Sequence, residues 1–152
     1  MEFKILNVEP MQGLSITDNC TPMGLPDKYD ELYAELREII KKQGLDGNGQ
    51  AFGIYYSFTN DNVKVEAGYV IDGTPKEEGR AKITQTYSGR TICARHVGSY
   101  SGLGEAWGEF NKWIKENNYK AAGNCYEMYV NDPGNEKDDS KLITDLYLPI
   151  ED

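Results

Sequence analysis

The chain has 152 residues, 39% hydrophobic and 27% charged, which suits one domain with a substantial core and is too apolar for a disordered segment. Sixteen Lys and Arg against 25 Asp and Glu leave a formal net charge of −9, a field that repels a phosphate backbone and argues against nucleic acid as a direct partner. Small cations are tolerated or mildly attracted by the same field. No apolar run approaches the roughly 18 residues of a membrane span, and the opening MEFKILNVEP lacks the basic-then-apolar pattern of a secretory signal. The three cysteines, Cys20, Cys93 and Cys125, are an odd number without a CxxC pair. A disulfide framework and a zinc site are poorly supported, and a reducing cytoplasm is the simpler setting. Neither a metal nor a cofactor is expected.

In chain order, a first strand is predicted over Phe3 to Thr17, bent or interrupted. Tyr29, Leu32, Tyr33, Leu36, Ile39 and Ile40 then recur at i, i+3, i+4, i+7, i+10 and i+11, the apolar stripe of an amphipathic helix. Pro26-Asp27 is its start signal and Gly44 its stop. Strands follow at Ala51 to Phe58 and Val63 to Ile71, and then the breaker-rich linker Asp72 to Gly79. In the second half, Lys82 to His96 reads as a strand. A second helical stripe runs through Leu103, Ala106, Trp107, Phe110, Trp113 and Ile114 and ends at Asn117-Asn118. Strands at Tyr126 to Asn131 and Leu142 to Leu148 close the chain.

These two halves are alike. A shift of 74 residues lays Tyr29 on Leu103, Tyr33 on Trp107, Gly24 on Gly98 and Tyr55 on Tyr129. A four-residue insertion then puts Val65, Tyr69 and Ile71 on Ile143, Tyr147 and Pro149. The pattern is a duplicated β-α-β-β unit, repeat 1 at about 1–72 and repeat 2 at about 80–152, within a single domain. Strands with only two helices define an α+β class, an antiparallel sheet carrying both helices. Two helical stripes related by pseudo-twofold symmetry leave a central cleft, where pockets commonly form.

One position breaks the repeat. Within Cys125-Tyr126-Glu127-Met128-Tyr129 the neighbours are aromatic or apolar, as they are in Ala51-Phe52-Gly53-Ile54-Tyr55, yet Glu127 falls on Gly53. Aromatic or apolar residues occupy both faces of this strand under period-two alternation. An inward carboxylate there needs a partner, because a buried charge is costly when unpaired. The other reading is a solvated strand glutamate or a salt-bridge member. The 11 tyrosines and two tryptophans include Tyr33, Tyr55, Tyr56, Tyr69, Trp107, Trp113, Tyr129 and Tyr147 on strands or helix stripes. Aromatic faces attract cations and an adjacent carboxylate neutralises them, so a glutamate among rings suits a bulky organic cation.

Four features in order resemble the GyrI-like small-molecule-binding domain, the effector-binding part of AraC-type and MerR-type multidrug regulators. They are His96-x-Gly98-x-Tyr100, the Trp107 and Trp113 stripe, Tyr126-Glu127-x-Tyr129 with Asn131-Asp132-Pro133, and the closing Leu148-Pro149-Ile150. The resemblance implies a curved antiparallel sheet with two long helices and an aromatic cleft. It implies that Glu127 meets the charge of hydrophobic, often cationic ligands, with Tyr147, and Tyr55 and Tyr69 from the first half, matching by position; Trp107 and Tyr129 join them as candidate ligand-binding residues from the aromatic pattern. The chain departs from the regulators in having no room for a DNA-binding domain. The expected function is therefore a cytoplasmic binding protein for such compounds. One alternative the family implies is a hydrolase of cyclopropane-bearing xenobiotics with Glu127 as general base; another is a protein-protein modulator such as a gyrase inhibitor. His96 precedes the second helix in a glycine-bearing turn and suits a structural or capping role better than catalysis or haem ligation.

Overall fold

The chain falls into two compact units, Pro10–Tyr87 and the combination of Met1–Glu9 with Ser88–Asp152. The computed structural model describes residues 1–46 and 50–152. In the first unit, β2 (Gln12–Cys20) leads to helix α1 (Leu25–Lys42), then β3 (Asp46–Phe58) and β4 (Val63–Asp72), in the sheet order β3-β4-β2-β5 with β5 at Lys82–Gln85. In the second unit, β6 (Gly89–Val97) leads to helix α2 (Leu103–Glu116), then β7 (Tyr126–Tyr129) and β8 (Ile143–Pro149), in the order β7-β8-β6-β1 with β1 at Phe3–Val8. The class is α+β and the β-α-β-β unit is duplicated, with antiparallel ladders in both copies.

The fourth strand of each copy comes from elsewhere in the chain. The strand expected at Phe3 to Thr17 is cut at Pro10, whose ring nitrogen has no proton to give a ladder. Its front piece pairs with β6 (Phe3↔Ala94, Val8↔Gly89) and its rear piece with β4 (Leu14↔Tyr69). The strand expected at Lys82 to His96 is also interrupted, between Gln85 and Gly89 and without a proline, and β5 adds to β2 (Leu14↔Ile83). The units are therefore not contiguous halves: β1 and β5 each complete the sheet of the other repeat.

The helices lie where their stripes require. Leu32, Leu36, Ile39 and Ile40 of α1 pack on Leu14 and Ile16 of β2 and Ala67 and Ile71 of β4. Ala106 and Phe110 of α2 pack on Ile92 and Ala94 of β6 and Leu146 of β8, with Trp107 and Trp113 at the margin. Both helices stop in the same way. Gly44, at φ +68°, donates to Lys41 O and Leu45 to Ile40 O. Asn118, at φ +59°, donates to Lys115 O and Tyr119 to Ile114 O. This paired arrangement caps the last carbonyls, and it needs a residue that accepts a left-handed backbone, glycine in one copy and asparagine in the other.

Strand β7 is shorter than expected because Asn131 takes over from the ladder. Its side-chain oxygen accepts from Ile143 N at 2.7 Å and its amide donates to Lys141 O at 2.9 Å. On the sheet face away from α1, Phe52 lies across from Gly68 (Phe52↔Gly68). A methyl on Gly68 would come within 2.7 Å of Phe52 Cε2 and 2.9 Å of Leu14 O. Gly68→Ala should cost about 1–3 kcal/mol in urea unfolding, and adding Phe52→Leu should return only part of it, since the Leu14 carbonyl stays in place. An unchanged midpoint would contradict this packing.

Asp18 ties β2 to α1 within the first unit. It accepts from Lys28 at 3.0 Å and Arg80 at 2.9 Å, and Arg80 also makes a fork with Glu35 at 2.9 and 3.1 Å. The Asn19 backbone N–H, then Lys28, lower the Asp18 carboxyl from 3.8 to about 2. A lowered folded-state value gives stability that is complete above the ordinary carboxylate range and lost as pH falls toward 2. Between those limits the stability of Asp18→Asn should fall less steeply with acid than that of the parent; parallel slopes would sink the assignment.

Candidate functional site

Strand β7 is buried along its whole length, and its register with β8 fixes which way each side chain points. Glu127 stands opposite Leu146 and Tyr129 opposite Thr144. Leu146 belongs to the core under α2, so Glu127 and Tyr129 share the helix-facing side. Glu127 is 2% exposed. Its two oxygens accept from different elements: Oε2 from the Trp107 indole Nε1–H at 2.7 Å, Oε1 from the Tyr129 hydroxyl at 2.5 Å. Trp107 reaches it from α2, on the same helical stripe as Phe110, whose ring lies 5.0 Å from the indole.

Tyr100 completes the surroundings. It starts the short 3-10 turn before α2 and sets its ring edge against Tyr129, with centroids 5.7 Å apart and planes at 61°. Burial, then the negative charges of Asp132, Glu127 and Asp139, push the Tyr100 hydroxyl up to about 12. It therefore stays protonated and able to donate through the neutral range. Tyr100 belongs to the His96-x-Gly98-x-Tyr100 segment that carries the family resemblance, and it is not among the ligand-binding residues expected from the sequence.

Tyr147 lies elsewhere. It pairs with Tyr126 and Cys93, on the sheet face opposite Glu127, and its ring stacks on Tyr126 at 4.8 Å with planes 4° apart. Burial and then the neighbouring Cys93 push its hydroxyl upward, while burial and then Asp145 push the Cys93 thiol up to about 11. Tyr55 and Tyr69 belong to the first unit, on the side facing α1. Tyr29 donates to the Tyr55 hydroxyl at 2.7 Å, and Tyr69 accepts from Arg37 at 3.0 Å with its ring edge against Tyr33. The structure thus gathers Glu127, Trp107 and Tyr129. It holds Tyr147 on the other face of their sheet, and Tyr55 and Tyr69 on the corresponding side of the other unit.

Comparison of the copies shows what Glu127 adds. Tyr33 occupies the place of Trp107, Gly53 that of Glu127 and Tyr55 that of Tyr129. With no carboxyl at Gly53, the Tyr33 hydroxyl donates to the backbone carbonyl of Phe52 at 2.5 Å. The aromatic frame is present twice, the acid on this strand once.

A second acid is buried that the repeat does not single out. Glu66 of β4 is 6% exposed and accepts from the Ser15 hydroxyl at 2.6 Å and from the Tyr56 hydroxyl. Burial and this bond to Glu66 push the Tyr56 hydroxyl up to about 12. Its signal was the same as that of Glu127, one carboxyl between apolar neighbours, here Val65 and Ala67. His96 bonds the Ser99 carbonyl through Nε2 at 3.0 Å, and its ring sits so close that a methyl on Gly102 would lie 3.0 Å from it. It braces the turn that enters α2. Among the described residues no group of three His, Cys, Asp or Glu side chains is assembled for a metal ion, and the three cysteines are free thiols.

The duplicated β-α-β-β architecture is that of a class of small-molecule-binding domain. Residues 1–151 match the model of the GyrI-like small molecule binding domain, and the chain belongs to that family. No curated protein sequence matches the chain. Among solved structures it is similar to the EcmrR C-terminal domain, with TM-score 0.87, 18% identity, and coverage of 99% of this chain and 97% of that one. In the EcmrR–DNA complex the chain covers 57% of EcmrR's length, at TM-score 0.86 and 18% identity. SAV2435, solved bound to tetraphenylphosphonium, matches with TM-score 0.72 and 12% identity over 99% of this chain and 94% of that one. A hydrolase from Listeria innocua matches with TM-score 0.65 and 18% identity over 99% and 92%. At such identities the likeness is one of fold.

The Trp107–Glu127 bond joins α2 to β7 through a buried carboxyl. A double-mutant cycle of Trp107→Phe and Glu127→Ala should give a coupling of about 1–3 kcal/mol in chemical unfolding. Additive losses would mean that the indole does not hold the acid.

Proposed function

We propose that the chain is a cytoplasmic binding protein for hydrophobic cations, with Glu127 as the counter-charge and Trp107, Tyr129 and Tyr100 as the rings that receive the apolar body. The observation that carries this reading is a carboxyl 2% exposed whose oxygens are oriented by an indole and a phenol. Such neutral donors fix the direction of a negative charge without cancelling it. A cation brought beside them gains both the charge and the ring faces in a site with little water. Family membership supports the small-molecule part of the reading. The phosphonium cation bound by SAV2435, a protein of the same fold, supports the cationic part. The cytoplasmic setting rests on three cysteines that remain free thiols. Entry of a ligand displaces a covering ring, and Tyr100, 38% exposed and carried by a three-residue turn, is the one placed to yield.

Hydrolysis by Glu127 as general base is the weaker reading. Both carboxyl oxygens already accept from a ring donor, which suits a fixed counter-charge better than a base that must collect a proton from water.

Calorimetric titration of tetraphenylphosphonium should show a loss of about 10- to 100-fold for Glu127→Gln, the scale of a charge-assisted contact. Neutral triphenylphosphine oxide should bind parent and variant within about twofold, because it offers no net charge to the carboxylate. Equal affinities for the cation would remove Glu127 from the site.

A further inference from the structure

Thr144 is fully buried, at 0% exposure, and its hydroxyl has no hydrogen-bond partner. That is unusual for a hydroxyl inside a protein, because a buried polar group without a partner has given up its water for nothing. Its place in the sheet is specific. Thr144 stands directly opposite Tyr129 on one side and His96 on the other. It lies two residues before Leu146, the partner of Glu127, and so shares the helix-facing side with both Leu146 and Glu127. Side chains related in this diagonal way across an antiparallel pair stand about 7–8 Å apart or somewhat less, near enough for one small group to touch both.

The donors and acceptors around Glu127 are unevenly divided. Trp107 can only donate, and Tyr129 spends its proton on Glu127. A cation carrying two N–H groups can give one to the carboxylate and the other to a neutral acceptor beside it. The uncommitted Thr144 oxygen is such an acceptor. A quaternary cation has no N–H and gains nothing from it.

We infer that Thr144 is a specificity residue of the Glu127 site, selecting protonated amines over quaternary cations by accepting their second N–H. This rests on the reading of Glu127 as the counter-charge of a bound cation. The hydroxyl is then a group kept at some expense of stability for use when ligand is present.

The test compares protonated dibenzylamine with dibenzyldimethylammonium on the full chain and on Thr144→Val, Thr144→Ser and Glu127→Gln. Thr144→Val keeps the shape and removes the hydroxyl. It should weaken dibenzylamine about 10-fold and leave the quaternary cation within about twofold, with Thr144→Ser close to the parent for both. The thermal midpoint of unliganded Thr144→Val should equal or exceed that of the parent, because the orphaned group is gone. Equal effects on the two cations, no effect on either, or a lowered midpoint would overturn the role of Thr144 while leaving Glu127 standing. If neither cation binds the parent, or Glu127→Gln weakens neither, the counter-charge reading falls and the selectivity falls with it.

Discussion

A buried carboxyl has to be held, and the two bonds that hold Glu127 organise the second unit around it. One comes from α2 and one from β7 itself, so the acid joins the helix to the strand it lies over. The direction of Trp107 depends on α2 keeping its place, which the Phe110 and Ala106 contacts and the Asn118 stop provide. The position of Tyr129 depends on the β7–β8 register, which Asn131 closes off with its own side chain. Slipping that register by one residue would put Glu127 on the face of Tyr126 and Tyr147 and leave the indole with no acceptor.

The first unit has the same frame with the charge removed. Tyr33 does there what Trp107 does here, but it reaches a backbone carbonyl because the matching position is Gly53. Duplication thus supplied a scaffold in which one copy could carry an acid on this strand and the other need not. The first unit has its own buried acid on a different strand, Glu66, facing away from α1 and held by Ser15 and Tyr56. The two acids therefore do not correspond by symmetry.

Much of this is legible in the sequence. Both helical stripes, the helix stops at Gly44 and Asn118, and the mismatch of Glu127 with Gly53 follow from periodicity and from the repeat. The membership of β1 and β5 was not readable, because hydrophobic alternation says that a segment is a strand and not which edge it joins. The resemblance groups Tyr147 with Glu127, whereas the register sets it on the other face, stacked on Tyr126. Thr144 left no mark at all, since a threonine before Asp145 and Leu146 is ordinary in a strand. Only the three-dimensional arrangement shows that its hydroxyl has nothing to bond.

The central claim is that Glu127 receives the charge of a hydrophobic cation among the rings of Trp107, Tyr129 and Tyr100. A crystal structure of the chain with tetraphenylphosphonium tests it most directly. The expected result is the phosphorus within about 6 Å of the ring centroids that flank it and facing the Glu127 carboxylate, with Tyr100 displaced. A cation bound with Glu127 still covered and no nearer than other acidic side chains would contradict it.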